Sequence, residues 1–531
     1  YHLFLFPFQW DCIPAGKRKK DTDFESRCDL DQCEAQLLQS GWNRNPFEIG
    51  EETDSHTDYN EFTYFYDFVR KTIFDYLDPH DKNERLRYFQ YNKADRGTYT
   101  IHIANPDGSS ITYRLHIKNI SLHLYNTGVG ILTFNLKNDN YPNPEDILRI
   151  NDYGRRIYPQ FLGVNLTRET KNAFLSDKIE VDFADGKAVA VENFEHYNHK
   201  ANLKEQWFKL PSHITHLFSG TNFTERDSED DRILITNIMD DRMFTLCWFG
   251  NNDKAAELKQ WDEKTRQYAY ENSDWWYSFI FCDKQWASCE NKNMLHENLL
   301  DHTYARWANF GTYYGITRET FMAISDEITR LNSNHAAPLY DHTRTIYFQI
   351  CVLCLVSRAS MLRFSGEVAR LSDLANHHKI SEKTFFAPIE KLYENYIEFL
   401  NKIHFREVTA QVQGIELYDM LYQHMNLTEQ VKDLDSELDE LHRFVNMRRD
   451  KARNENAQML NWIAAFFLPL SAVAGFLGIN YTISDNKTWG FDGTLTSQPF
   501  GPFWLAVAIS TGIALLTMGV IWLFQKRIRN H

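Results

Sequence analysis

Two small groups of residues in this chain have types and spacing suited to chemistry. The first is Gly478, Ile479 and Asn480, which close a long run without charge. An asparagine amide offers a neutral oxygen that can hold a hydrated cation by hydrogen bonds, because a small divalent ion sheds its water reluctantly. Taken alone, the tripeptide favours a helix C-terminus ended by asparagine. The second group is Arg155 and Arg156, which follow Gly154. A glycine turn there would set backbone N–H groups beside two guanidiniums, a fit for phosphate, with ordinary surface charge as the competing reading. His196 and His199 in "EHYNHK" are metal-ligand types but read as surface residues. "GKRKK" at 16–20 is diluted at once by "DTDFE" and reads as a solvated loop. No Walker loop, Gly-x-Ser-x-Gly or His-Glu-x-x-His is present, so the chain is not expected to be an enzyme, and no metal-ligand set can be named.

The elements that must position Asn480 come next. No charged residue occurs from 457 to 484, nor from 493 to 525. Each stretch exceeds the ~20 residues that a helix needs to cross a bilayer. We expect transmembrane helices at 456–479 and 499–525, a loop at 480–498 and a basic tail at 526–531. Arg448, Arg449, Lys451 and Arg453 precede the first stretch, and Lys526, Arg527 and Arg529 follow the second. The loop carries no basic excess, so both termini are expected in the cytoplasm of a multi-pass inner (plasma) membrane protein. Before the first span, Leu427, Val431, Leu434, Leu438, Leu441 and Val445 form a heptad seam. One stalk helix is expected over 385–455. Its seam fits self-association around an axis, or a hairpin with another helix of the same chain. Two spans per subunit cannot enclose a polar path, so a pore would need several copies.

The stretch "FLPLSAVAGFLGIN", a short loop with "TWGFDG" and a second span with a basic end resemble the CorA-type divalent-cation transporters. The resemblance covers roughly 385–531. It implies a homopentamer, a funnel in which the first spans line the pore and long stalk helices carry a cytoplasmic domain. It places Asn480 as a ring at the outer mouth, with Gly478 allowing a tight turn that aims it. Ser471 would stand at a pore-facing threonine position, Leu468 and Leu460 would form apolar constrictions, and Asn454 would mark the cytoplasmic entrance. Ile479 stands where the family has methionine, and the loop has only Asp485 and Asp492 as carboxylates, so selectivity for Mg²⁺ does not follow from the resemblance.

The rest of the chain is large for such a transporter. Its net charge of −15 argues against a nucleic-acid-binding surface. Its eight cysteines fit no disulfide framework, and Cys351 and Cys354 sit in the apolar run "QICVLCLVSRA", which reads as core. The fold class expected is an α+β cytoplasmic part, divided into a β-rich domain at 1–165 and an α/β to helical domain at 166–384. "YHLFLFPFQW" reads as a buried strand, "ITYRLHIK" as a half-buried one, and "NISLHLYNTGVGILTFNL" as a hairpin bending at Gly128 and Gly130. Strands are also expected at "RILITNIMDDRMFTLCWFG" and "WWYSFIFC". Helix is expected from about 291 to 374, entered through a linker-like "ENKNMLHENLLDHT". In length and in its hairpin the chain is similar to the CorA-like effectors of type III CRISPR systems. That likeness implies a channel gated by a nucleotide second messenger, adenylated S-adenosylmethionine. A constitutive magnesium or zinc transporter is the alternative.

Overall fold

The apolar opening of the chain forms the axis of the main sheet. The computed structural model describes residues 1–48, 55–75, 85–92, 94–105, 107–158, 175–194, 209–226, 228–284, 287–326, 338–376 and 382–480, with 508, 511, 512, 515, 516 and 519 beyond them. Strand β1 (His2–Ile13) is buried along nearly its whole length. On one edge it pairs with β6 (Val129–Lys137), and on the other with β11 (Phe244–Gly250) and then β10 (Arg232–Asn237). The change of partner falls at Phe6 and Pro7, between the Leu5↔Phe244 and Phe8↔Asn237 pairs. Proline has no N–H to donate, so a ladder is readily broken there.

From β6 the sheet continues through β5 (Ser110–Tyr125), β4 (Thr98–Ala104), β7 (Lys178–Asp182) and β8 (Ala190–Asn193). From β11 it continues through β16 (Thr320–Ser325), β15 (Thr312–Ile316) and β14 (Thr303–Trp307). Branches add β2 (Trp42–Arg44) and β3 (Leu86–Tyr91) beside β5, and β9 (Phe223–Thr224) beside β10. A separate ribbon joins β12 (Trp261–Asp262) to β13 (Gln267–Tyr268). The pairs are antiparallel except β11 with β16 and β9 with β10. The alternation expected in β5 is present: Tyr113, Leu115 and Ile117 are buried while Thr112 and Arg114 are exposed. The β5–β6 hairpin turns at Gly128, whose φ of 72° lies in the left-handed region that favours glycine.

Several expectations are corrected. Strands on both sides of residue 165 share one sheet, so no sheet boundary lies there. "WWYSFIFC" is helical over Asp274–Phe281, because Ser273 caps its N-terminus by accepting from the Trp276 N–H. The cap and the burial of Trp275, Trp276, Phe279 and Ile280 outweigh the β propensity of the aromatics. Thr303–Ser325 is strand rather than helix, and the linker-like stretch before it is a helix capped by Asn291.

The helices used below are α1 (Ser55–Tyr64), α2 (Asp67–Ile73), α3 (Pro144–Gly154), α4 (Lys292–His302), α5 (Pro338–Arg344), α6 (Ile346–Asn376), α7 (Glu382–Lys402), α8 (Val412–His424) and α9 (Leu427–Asn480). Helix α6 is the long buried helix that its composition predicts, with Ile350 to Val356 all but fully enclosed. Leu339–Asp373 is long and apolar enough to cross a membrane, the one such case among the described residues searched. Its apolar stretch is 89% buried in protein, so it is a core element. Cys351 and Cys354 are free thiols in that core.

The single stalk helix expected over 385–455 is three helices. The chain leaves α7 at Lys402, and Asn426 takes a left-handed φ of 56° between α8 and α9. Asparagine tolerates that conformation, and one such residue ends an α-helix. The first part of the heptad seam is buried within the single chain, at Leu427, Leu434 and Leu438. Tyr396 of α7 donates to Asp435 at 2.6 Å, beside the seam. This contact fits the hairpin reading for the first part of the seam. The chain divides into two units, Tyr1–Asp439 and Glu440–His531.

Candidate pore segment and polar cavity

In the C-terminal unit, α9 runs on to Asn480. Its uncharged part carries Met459, Leu460, Ile463, Phe467 and Leu468 exposed. By helical spacing these positions cover about half of the helix circumference, wider than one narrow stripe. An apolar surface of this kind needs lipid or other helices to cover it. Ser471 Oγ donates to the Phe467 carbonyl at 2.8 Å, so its hydroxyl is satisfied within its own helix. Asn454 is exposed on the same helix, at the basic end of the uncharged run. Gly478, Ile479 and Asn480 have helical backbone, so the tight turn expected at Gly478 is not seen. Their side chains lie outside the described ones, as do the loop at 480–498, most of 499–525 and the tail at 526–531.

Residues 367–527 match the family of CorA-like Mg²⁺ transporter proteins. Neither a curated protein nor a solved structure was found to match the chain. The CorA-like match begins inside α6 at Glu367 and takes in α7, α8, α9 and the second uncharged run. Residues 1–366, including the whole sheet, lie outside it.

The arginine pair is not the exposed anion site expected. Gly154 ends helix α3, and a Cβ there would meet the Phe4 ring at 2.8 Å, so the glycine serves close packing. A helix C-terminus presents carbonyls, which disfavour anions. Arg156 is held by Asp152 at 3.0 Å and Asp241 at 3.1 Å. Arg155 is buried, with Glu319 at 3.8 Å and no hydrogen-bond partner for its Nε or Nη1. We expect Arg156→Ala to cost about 2 kcal/mol, since two hydrogen-bonded carboxylates lose their cation. Urea unfolding would measure it, and an unchanged midpoint would mean that the pairs contribute nothing. His196 and His199 fall outside the described residues, and Lys19 of "GKRKK" is paired with Asp11 at 2.7 Å.

Sequence reasoning missed a cavity of about 370 Å³ in the N-terminal unit, between β3, β5 and β6 on one side and α1, α2 and α6 on the other. Its floor is a polar stripe on buried strands: Asn119, Ser121 and His123 of β5 beside Thr133 and Asn135 of β6. The alternation in "NISLH" and "TFN" was the available signal, because residues two apart share a face. His123 Nδ1, Thr133 Oγ1, Asn135 Oδ1 and Gln349 Oε1 are buried without a hydrogen-bond partner. Burial pushes the His123 imidazole down to about 3, so it is neutral. Gln349 Nε2 donates to Glu61 at 3.0 Å, yet burial still pushes the Glu61 carboxyl up to about 7. Glu48 and Asp58 also face the space, as does Asp75, whose carboxylate is held by Arg44 at 2.9 Å; among the described lining residues the cation is Arg344, paired with Asp341 at 3.0 Å. A cavity rich in acceptors and carboxylates suits a ligand that brings donors and positive charge.

Proposed function

We propose that the chain is one subunit of an oligomeric CorA-like cation channel, pentameric by its resemblance, whose N-terminal unit acts as a cytoplasmic sensor. The observation that carries this reading is the uncharged part of α9, with large apolar side chains exposed inside the family-matched region. Lipid on one side and copies of the same helix on the other would cover that surface. In the assembled pore, Asn480 would form the amide ring at the mouth, next to Gly478 and Ile479. Leu468 and Leu460 would close the path by dewetting, Ser471 would line it, and Asn454 would stand at the inner entrance. The cargo proposed is a divalent cation, Mg²⁺ or Zn²⁺.

For the gate, we propose a nucleotide second messenger of the adenylated S-adenosylmethionine type, acting in type III CRISPR antiviral defence. The cavity supports a ligand of this kind at one end of the molecule: an ammonium, a sulfonium and an adenine amino group supply charge and donors to its unpartnered acceptors. Moving a pore from mostly closed to mostly open takes about 5 kcal/mol of differential binding, or about 1 kcal/mol from each of five sites. The family description itself favours the second reading, a constitutive divalent-cation transporter.

Proteoliposomes loaded with a Mg²⁺-sensitive dye decide between the two. Flux that rises on adding the nucleotide supports the gated channel, and flux indifferent to it supports the constitutive transporter. Asn480→Ala is expected to alter selectivity or abolish flux with assembly intact. Unchanged flux in that variant would remove Asn480 from the filter.

A further inference from the structure

Helices α4 and α8 both end at a histidine, and the two ends meet. His302 closes α4 and His424 closes α8, with their rings stacked at 4.0 Å between centroids and 23° between planes. Asp301 Oδ2 lies 3.8 Å from His302 Nε2 and 4.0 Å from His424 Nδ1. One ligand atom from each of the three residues falls within 4.8 Å of the others. We propose that Asp301, His302 and His424 bind one divalent transition-metal ion of the zinc class and thereby fasten the end of α8 to the end of α4.

Four features point to a cation of this kind. His302 Nδ1 lies 2.7 Å from the Ile316 carbonyl, which can only accept. The Nδ1 therefore carries the proton and Nε2 keeps its lone pair, the orientation that metal-bound histidines use. Both helices present their C-terminal carbonyls to the site, and their dipoles favour a positive charge there. The spacing is close: donors about 2.1 Å from a tetrahedral ion lie about 3.4 Å apart, so while the stacked rings would turn to aim both nitrogens at the ion, the two Asp301 distances close by roughly half an ångström. Asp301 can supply that movement, since its side chain is 73% exposed while the two histidines are largely enclosed. Finally, two imidazoles and one carboxylate are a zinc-type set, whereas Mg²⁺ takes oxygen donors and keeps its water.

The site differs from the pore in ligands and in selectivity. It sits two residues before α9 begins, at the turn through Met425 and Asn426. Side chains along α8 already hold that helix to the sheet: Glu416 bonds Tyr304 and Arg306 of β14, and Gln413 donates to Tyr314 of β15 at 3.2 Å. A metal at His424 would extend the attachment to the last turn before α9.

The test is calorimetric titration of the full-length protein in detergent with Zn²⁺, and separately with Mg²⁺. One Zn²⁺ per chain is expected, undisturbed by millimolar Mg²⁺. Asp301→Ala and His424→Ala should each weaken it about tenfold or more. His424→Cys should retain it, and Co²⁺ should give a visible tetrahedral spectrum in the wild type that His424→Ala lacks. Asp301 is exposed, so its variant tests the site without threatening the fold. No uptake by the wild type, or equal uptake by the Asp301 and His424 variants, would overturn the proposal. The readout is binding, so a protein that takes up Zn²⁺ but conducts no ion would keep this site and lose the channel reading.

Discussion

Replacing Arg363 with alanine is expected to remove about 4 kcal/mol of stability from the N-terminal unit, read as a lower urea midpoint. Arg363 projects from α6 into the turn of the β5–β6 hairpin. It donates to the Trp10 and Gly128 carbonyls at 2.8 and 2.7 Å and to Asp11 at 2.7 Å. Arg27 spans from Asp11 at 2.8 Å to Glu367 at 2.7 Å. All four charged side chains are buried, so removing Arg363 takes one of three cations from Asp11 and one donor each from the Trp10 and Gly128 carbonyls, where water cannot replace them. Gly128 is fixed by the same contact, because a Cβ there would fall 2.4 Å from the guanidinium carbon of Arg363. Arg363→Lys should recover only part of the loss, since an ammonium cannot reach three acceptors in the fork geometry. Burial alone would raise the Asp11 carboxyl, but Arg363, Lys19 and Arg27 together hold it far below the usual range. Its contribution is therefore present above the ordinary carboxylate pKa and lost only as pH falls through the depressed value. An Arg363→Ala midpoint within ~0.5 kcal/mol of wild type would mean that the network is energetically idle.

The second large effect runs the other way with pH. The Glu61 carboxyl has an ordinary value of 4.5 and is pushed up to about 7 by burial beside the cavity. Between those values the folded protein holds a proton that the unfolded chain has lost. Its contribution is thus complete below about 4.5, falls by about 3 kcal/mol as pH rises from there to about 7, and levels off above that. Glu61→Gln keeps a neutral side chain at every pH and should flatten this slope, so the variant should exceed the wild type in stability at pH about 8. Equal slopes in the two proteins would show that Glu61 is ionised in the fold. A cationic ligand in the cavity would draw Glu61 to its charged form and release a proton. Binding heats at neutral pH should then vary with the ionisation enthalpy of the buffer.

What the sequence disclosed follows from the range of the forces involved. The alternation of Tyr113, Leu115 and Ile117, the hairpin at Gly128 and the apolar run of α6 are local patterns, and each appears in the fold. "WWYSFIFC" was misread because a serine cap and tertiary burial decided between helix and strand. The heptads from Leu427 to Val445 lie in one helix, as the pattern requires, but the stretch before them carries no such repeat, and the chain breaks there after Lys402 and at Asn426. Arg155 and Arg156 looked exposed, but their carboxylate neighbours Asp241 and Glu319 lie far away in sequence. The same distance hid the cavity and the meeting of His302 with His424. The resemblance to the CorA-like family was legible because its stretch is contiguous, and residues 367–527 match that family.

The branching of β1 has a consequence for biosynthesis. Cys12 and Ile13 pair with Ile233 and Arg232, and His2 pairs with Cys247. As the ribosome works, β1 waits for about 220 further residues, or roughly 10–45 s of translation, before its second edge is filled. During that interval a strand of phenylalanine and leucine has an open edge, which is a template for pairing with other nascent chains. The uncharged part of α9 emerges only after β10 and β11 are available to close it. Chaperone demand during synthesis should therefore fall mainly on the first half of the chain, well before the uncharged runs near residues 457–484 and 493–525 have left the exit tunnel.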